Sequence, residues 1–206
     1  MRFLLTAFEP FDGTGLNSSL AGCRAFIDRW GDQFDLRFVV LPVQYGPDAA
    51  AVERALAEEP VDVLLHTGQA TGASVIRVER IAVNVRYGAH EFDRTLPEWE
   101  HPQQEIDPGG APAYLSTLPV EQIAARIRES GVPAAVSNHA GIYLCNHALY
   151  LSLRRAALEK RGVRAGFLHV PCLPEQAEQL PSMSVDRIAM ALFAALQCIQ
   201  RESGGV

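Results

Sequence analysis

The chain has 206 residues, 48% hydrophobic and 20% charged, with a formal net charge of −6. That length fits one domain able to bury about 70% of its unfolded surface, and the acidic balance argues against a general nucleic-acid binder. No apolar stretch approaches the roughly 20 residues that span a bilayer, and the short apolar N-terminal run lacks a secretory cleavage site, so a cytoplasmic protein with no membrane partner is expected.

Taken in order, strands and helices alternate. R-F-L-L-T-A-F at 2–8 is a short apolar run suited to a buried strand. Residues 18–30 are predicted helical, capped by Ser18 or Asn17. A strand follows at 35–42, and Pro47 then opens a helix running to about Glu59. V-D-V-L-L-H-T at 61–67 is a strand leading into the turn-rich G-Q-A-T-G, and a second extended run covers 74–85. Residues 86–118 are rich in proline, glycine and charge and predict a loop or hairpin inserted in the domain, lying over the site or in an oligomer contact. Pro119 starts a helix that ends at Ser130-Gly131, and 134–138 is a strand. A helix follows Cys145 to about Arg161, 164–170 is a strand, and Ser184 caps the last helix, which buries Met190, Leu192, Phe193 and Leu196. Strands separated by helices imply a parallel sheet covered on both faces, an α/β fold. Sites in such sheets form at the carboxyl ends of strands. Gln69, Cys145, His169 and the loop beginning at Phe8 converge there.

Cys145 carries the strongest chemical signal. It stands after a short apolar run, in A-G-I-Y-L-C-N-H at 140–147, at the mouth of a predicted helix. The thiolate is the reactive form, and both a helix N-terminus and a nearby imidazolium lower a thiol pKa from its usual value of roughly 8.5. His169, at the end of the next strand, is the expected base. His147 follows Cys145 by two and points to another helix face. Cys23 and Cys198 lie in helical patterns and read as core residues; Cys172, three residues from His169, is the rival nucleophile on position. No pair of cysteines or histidines has metal-ligand spacing, so neither a zinc site nor a disulfide is expected. His66, His90, His101 and His139 read as surface or strand-end residues. Glu79 shares a strand face with Ile81, Val83 and Val85. A carboxylate so placed needs a partner, either the imidazole of His169 or an arginine such as Arg77 or Arg80.

Seven segments add a resemblance: F-E-P-F (8–11), G-Q-A (68–70), E-R-I-A-V-N (79–84), P-G-G-A-P-A-Y (108–114), A-G-I-Y-L-C-N-H (140–147), G-F-L-H-V-P (166–171) and P-S-M-S-V-D (181–186). Together, in this order, they resemble pyrrolidone carboxyl peptidase, the pyroglutamyl peptidase type I family of cysteine exopeptidases. The resemblance implies Glu79, Cys145 and His169 as a catalytic triad, and it makes Cys172 structural. It implies a three-layer α/β/α sandwich around a mostly parallel sheet, similar to the nucleoside phosphorylase architecture. It also implies no cofactor, peptides with an N-terminal pyroglutamate as substrates, and a homotetramer or dimer. Phe8, Phe11 and Tyr143 match pocket positions of the family, and Gln69 matches a position beside the lactam ring. The chain departs from the family at T-G-A (71–73) and at His90, Glu91 and Phe92. Glu91 stands where an apolar residue is usual, which predicts a mobile 86–93 segment without ligand and weaker turnover. Two other functions are less well supported. A nucleoside phosphorylase-like transferase would need a phosphate loop, for which G-T-G at 13–15 is too weak. A non-catalytic relative would not need to keep all three triad residues.

Overall fold

In a computed structural model, residues 1–11, 13, 15–88, 102–159 and 163–202 are described. Ten strands and five helices are named in chain order: β1 (Arg2–Phe8), α1 (Ser18–Trp30), β2 (Asp35–Leu41), α2 (Pro47–Glu58), β3 (Val63–Gln69), β4 (Ile76–Glu79), β5 (Ile81–Val83), β6 (Arg86–Tyr87), β7 (Gln103–Gln104), β8 (Ala113–Leu115), α3 (Val120–Glu129), β9 (Ala134–Ser137), α4 (Leu144–Leu158), β10 (Arg164–Val170) and α5 (Val185–Glu202). Six strands form the central sheet in the order β2-β1-β3-β10-β4-β9. Its pairings are parallel except β10 with β4. The fold is therefore α/β with a mostly parallel sheet, as the alternation of strands and helices predicts.

Period-two alternation sorts side chains to the two faces of the sheet. Phe3, Leu5 and Ala7 of β1 pack with Leu65 of β3 and Leu168 of β10 under α1, α3 and α5. Leu4 and Phe8 of β1, Leu64 of β3, and Ala165 and Phe167 of β10 pack under α2 and α4. Asn17 makes the first helix begin where it does: its Oδ1 accepts from the Ser19 and Leu20 backbone N–H groups. The α2 helix has Pro47 at its first turn, where the missing N–H removes no helical bond.

The extended run expected over 74–85 is two strands. At Arg80 the backbone N–H donates to Ser137 O at the end of β9, while the Arg80 carbonyl accepts from Ser116 N beside β8. The chain thus leaves the main sheet at one residue, and β5 pairs antiparallel with β8 instead. Glu79 and Ile81 consequently do not share one continuous strand face. Within 86–118, β6 and β7 pair antiparallel, Arg86 with Gln104 and Tyr87 with Gln103. His90, Glu91, Phe92, Trp99 and His101, with the expectations attached to them, lie outside the described residues.

Candidate active site

Gly68, Phe167 and His169 all face α4. His169 and Gly68 are register partners across β10 and β3. The glycine leaves room for the nucleophile candidate: a Cβ there would sit 2.9 Å from Cys145 Sγ and 2.8 Å from Phe167 Cζ. Cys145 occupies the first turn of α4, which has no side-chain cap at Tyr143 and no acidic residue in its opening turn. Its first N–H groups are therefore left for a ligand rather than a cap.

Glu79 lies opposite Phe167 across the antiparallel β4–β10 pair, two residues from His169 on the same face. Its Oε1 accepts from His169 Nδ1 at 2.9 Å. That bond fixes the tautomer and turns Nε2 away from the carboxylate, and the Cys145 side chain lies close enough to act on the ring. Glu79 is fully buried and His169 is 7% exposed. Glu79 Oε2 has no hydrogen-bond partner among the described residues. Arg80, the alternative ion-pair partner, bonds to Glu121 instead. Burial pushes the His169 imidazolium toward losing its proton. The neighbouring Cys145 side chain and then Glu79 outweigh that, raising the pKa to about 9.

The other cysteines are placed differently. Cys23 is buried, 3.3 Å from Thr67 Oγ1, and burial pushes its thiol up to about 12, leaving it inert as a nucleophile. Cys172 is buried, with Sγ 3.7 Å from Thr71 Oγ1. Cys198 is partly buried on α5, and burial raises its pKa.

His66, expected at the surface or a strand end, is fully buried in mid-β3. Two hydroxyls make this tenable: Thr6 Oγ1 meets Nδ1 at 2.7 Å and Ser152 Oγ meets Nε2 at 2.9 Å. Burial lowers its pKa to about 3, so it is a neutral core histidine. His139 is exposed, as expected.

Beside Cys145 opens a small, mostly apolar pocket lined by Phe8, Phe11, Val43, Gln69, Tyr143 and Leu144, with Asn17 at its edge. All four pocket residues named from sequence are in this lining. Asn17, Val43 and Leu144 were missed. The signal for Asn17 was present, since a helix cap beside Phe11 had to lie near the end of β1. Val43 and Leu144 carry no polar signature. Gln69 is held through Oε1, which accepts from Ser18 N at 2.9 Å and Gln176 Nε2 at 3.0 Å. A larger groove between α2 and α4 is lined by Leu56, Leu151 and Arg155 among others; it contains no cysteine and no carboxylate–histidine pair, so its size does not make it the reactive site.

The pyroglutamyl peptidase family matches residues 1–202. A pyrrolidone-carboxylate peptidase of Clavibacter michiganensis is 37% identical over 199 residues, 94% of this chain and 90% of the relative. One from Pyrococcus furiosus is 37% identical over 208 residues, 98% of this chain and 92% of the relative. The solved pyroglutamyl peptidase I of Bacillus amyloliquefaciens superposes with a TM-score of 0.82 at 33% identity, covering 96% of this chain and 94% of its own. With the match extending along nearly the whole chain in both sequence and structure, this chain belongs to the pyroglutamyl peptidase family.

Proposed function

We propose that this protein removes an N-terminal pyroglutamyl residue from peptides, with Cys145 as nucleophile, His169 as acid–base and Glu79 as the group that orients His169. One observation carries the assignment of roles: Cys145 lies beside an imidazole whose Nδ1 is held by a buried carboxylate, at the mouth of an apolar pocket. The raised His169 pKa favours the imidazolium near neutral pH, the form that can hand a proton to a leaving amine.

The thiolate attacks the carbonyl carbon between the lactam ring and the next residue. The C–S bond forms as the carbonyl π pair moves onto oxygen, and the N–H groups of the α4 first turn, which the Tyr143 side chain does not cap, receive that charge. Collapse expels the amine, which takes its proton from the His169 imidazolium and leaves a thioester. A water molecule then loses a proton to His169 and attacks the thioester. Pyroglutamate leaves and the thiolate is restored.

A lactam has no charged α-amine, which suits walls made by Phe8, Phe11, Val43 and Tyr143. Gln69 offers a directional contact: its oxygen is engaged with Ser18 and Gln176, so the amide NH2 is the donor remaining for a lactam carbonyl. The chain works as one domain, with 86–118 as its insertion, in the cytoplasm, as a homotetramer or dimer. Among the described residues no helix is long and apolar enough to cross a membrane. A panel of coumarin amides tests the substrate class. Pyroglutamyl amide should be cleaved, and glutamyl and prolyl amides, which bring a charged amine, should not. Equal turnover of all three would overturn the assignment.

A further inference from the structure

A second buried carboxylate–histidine pair lies below the pocket and has no part in the reaction above. Nδ1–H of His147 donates to Asp48 Oδ2 at 2.6 Å, with Asp48 fully buried and His147 nearly so. Asp48 Oδ1 accepts from Gly46 N at 2.9 Å. The carboxylate therefore ties the loop between β2 and α2 to the first turns of α4. Both tied elements contribute pocket walls, Val43 from the loop and Tyr143 from the start of α4. Between them stands Tyr45, whose ring meets His147 edge-on at 5.0 Å and Tyr143 edge-on at 5.6 Å. His147 N also donates to Tyr143 O, so the same residue holds Tyr143 through the backbone and, across Tyr45, through its ring.

We propose that Asp48 and His147 are positioning residues that fix the spacing between Val43 and Tyr143, and so make the pocket select a five-membered lactam over a larger ring. The inference rests on the pyroglutamyl reading of the site. A carboxylate in the first turn of α2 would already serve as a local cap through Gly46. Capping alone gives no reason to bury the second oxygen against a histidine of the nucleophile's helix. Burying that pair is unfavourable unless the partners hold a fixed geometry. A pocket that discriminates one methylene is worth about 10–200-fold in kcat/KM, and that selectivity is what a looser wall would lose.

The test compares coumarin amides of pyroglutamate and of its six-membered homologue, 6-oxopiperidine-2-carboxylic acid. Asp48→Ser keeps a short acceptor for Gly46 N but cannot reach His147. It should raise KM for the five-membered substrate about 10-fold with little change in kcat, and lower the five-to-six selectivity about 10-fold. Asp48→Asn should retain most of the selectivity. Should Asp48→Ser fold poorly, the double change Asp48→Asn, His147→Phe leaves no buried charge and should show the same loss. Equal losses on both substrates, or a fall in kcat at constant KM, would overturn the proposal. Wild-type turnover of the five-membered amide checks the parent reading separately. If that is absent, ring selectivity is read from protection of Cys145 against iodoacetamide by the two free acids, and equal protection of wild type and variant sinks the proposal.

Discussion

At Gly68 the sheet has no space for a methyl group. A Cβ would lie 2.9 Å from the Cys145 sulfur and 2.8 Å from the Phe167 ring, closer than carbon contacts allow. Gly68→Ala should therefore displace the thiol from His169 and lower kcat by on the order of 100-fold, with a smaller change in melting temperature. Steady-state kinetics beside thermal unfolding check this; a stability loss with normal kcat would contradict it. Glu79 acts through His169. Its replacement by Gln removes a negative charge and an obligate acceptor, so kcat should fall by on the order of 100-fold while KM changes little. The pH profile gives a sharper reading. The His169 pKa, raised to about 9 in part by Glu79, sets the pH at which the imidazolium is lost. In Glu79→Gln the alkaline limb of kcat/KM should move to lower pH. A limb that stays in place would make Glu79 a packing residue.

At the scale of the elements, the buried His66 in β3 makes the fold acid-sensitive. Its pKa in the folded chain is lowered to about 3 against an ordinary 6.5, so below 6.5 the unfolded chain binds a proton that the folded chain refuses. The stability is present above pH 6.5 and is lost as pH falls toward 3, at up to about 1.4 kcal/mol per pH unit. His66→Gln should flatten the dependence of unfolding free energy on pH between 6.5 and 4; an unchanged slope would place the titration elsewhere. His66 also shows where sequence reading stops. Alternation and turn residues made most strands and helices legible, and Cys145 and His169 could be chosen by position and type, whereas Glu79 stood open between His169 and an arginine until the family resemblance was added. A histidine's burial could not, because the satisfying hydroxyls of Thr6 and Ser152 lie 60 and 86 residues away. The break at Arg80 was hidden for a related reason. Ile81 and Val83 are as suited to one strand as to two, and the choice is made by the distant Ser116 and Ser137. Val43 reached the pocket through a loop whose path depends on the Asp48–His147 bond, again a contact across 99 residues.

For the whole molecule, the layers place every proposed catalytic group on one face of the sheet, under the helix that carries Cys145. The opposite face, beneath α1, α3 and α5, is continuous apolar core and gives the sheet its rigidity. Assembly is the proposal made at this scale: light scattering at micromolar concentration should report a dimer or tetramer, and a lone 22.5 kDa particle would contradict it. The central claim is that Cys145, of the four cysteines, forms the covalent intermediate. Its most direct test is hydrolysis of pyroglutamyl-coumarin amide by Cys145→Ala and Cys172→Ala, each compared with the wild type before and after iodoacetamide. Wild type should lose activity on alkylation, Cys145→Ala should be inactive though folded, and Cys172→Ala should retain most turnover and remain sensitive to the alkylator. Activity surviving in Cys145→Ala and lost in Cys172→Ala would contradict the account.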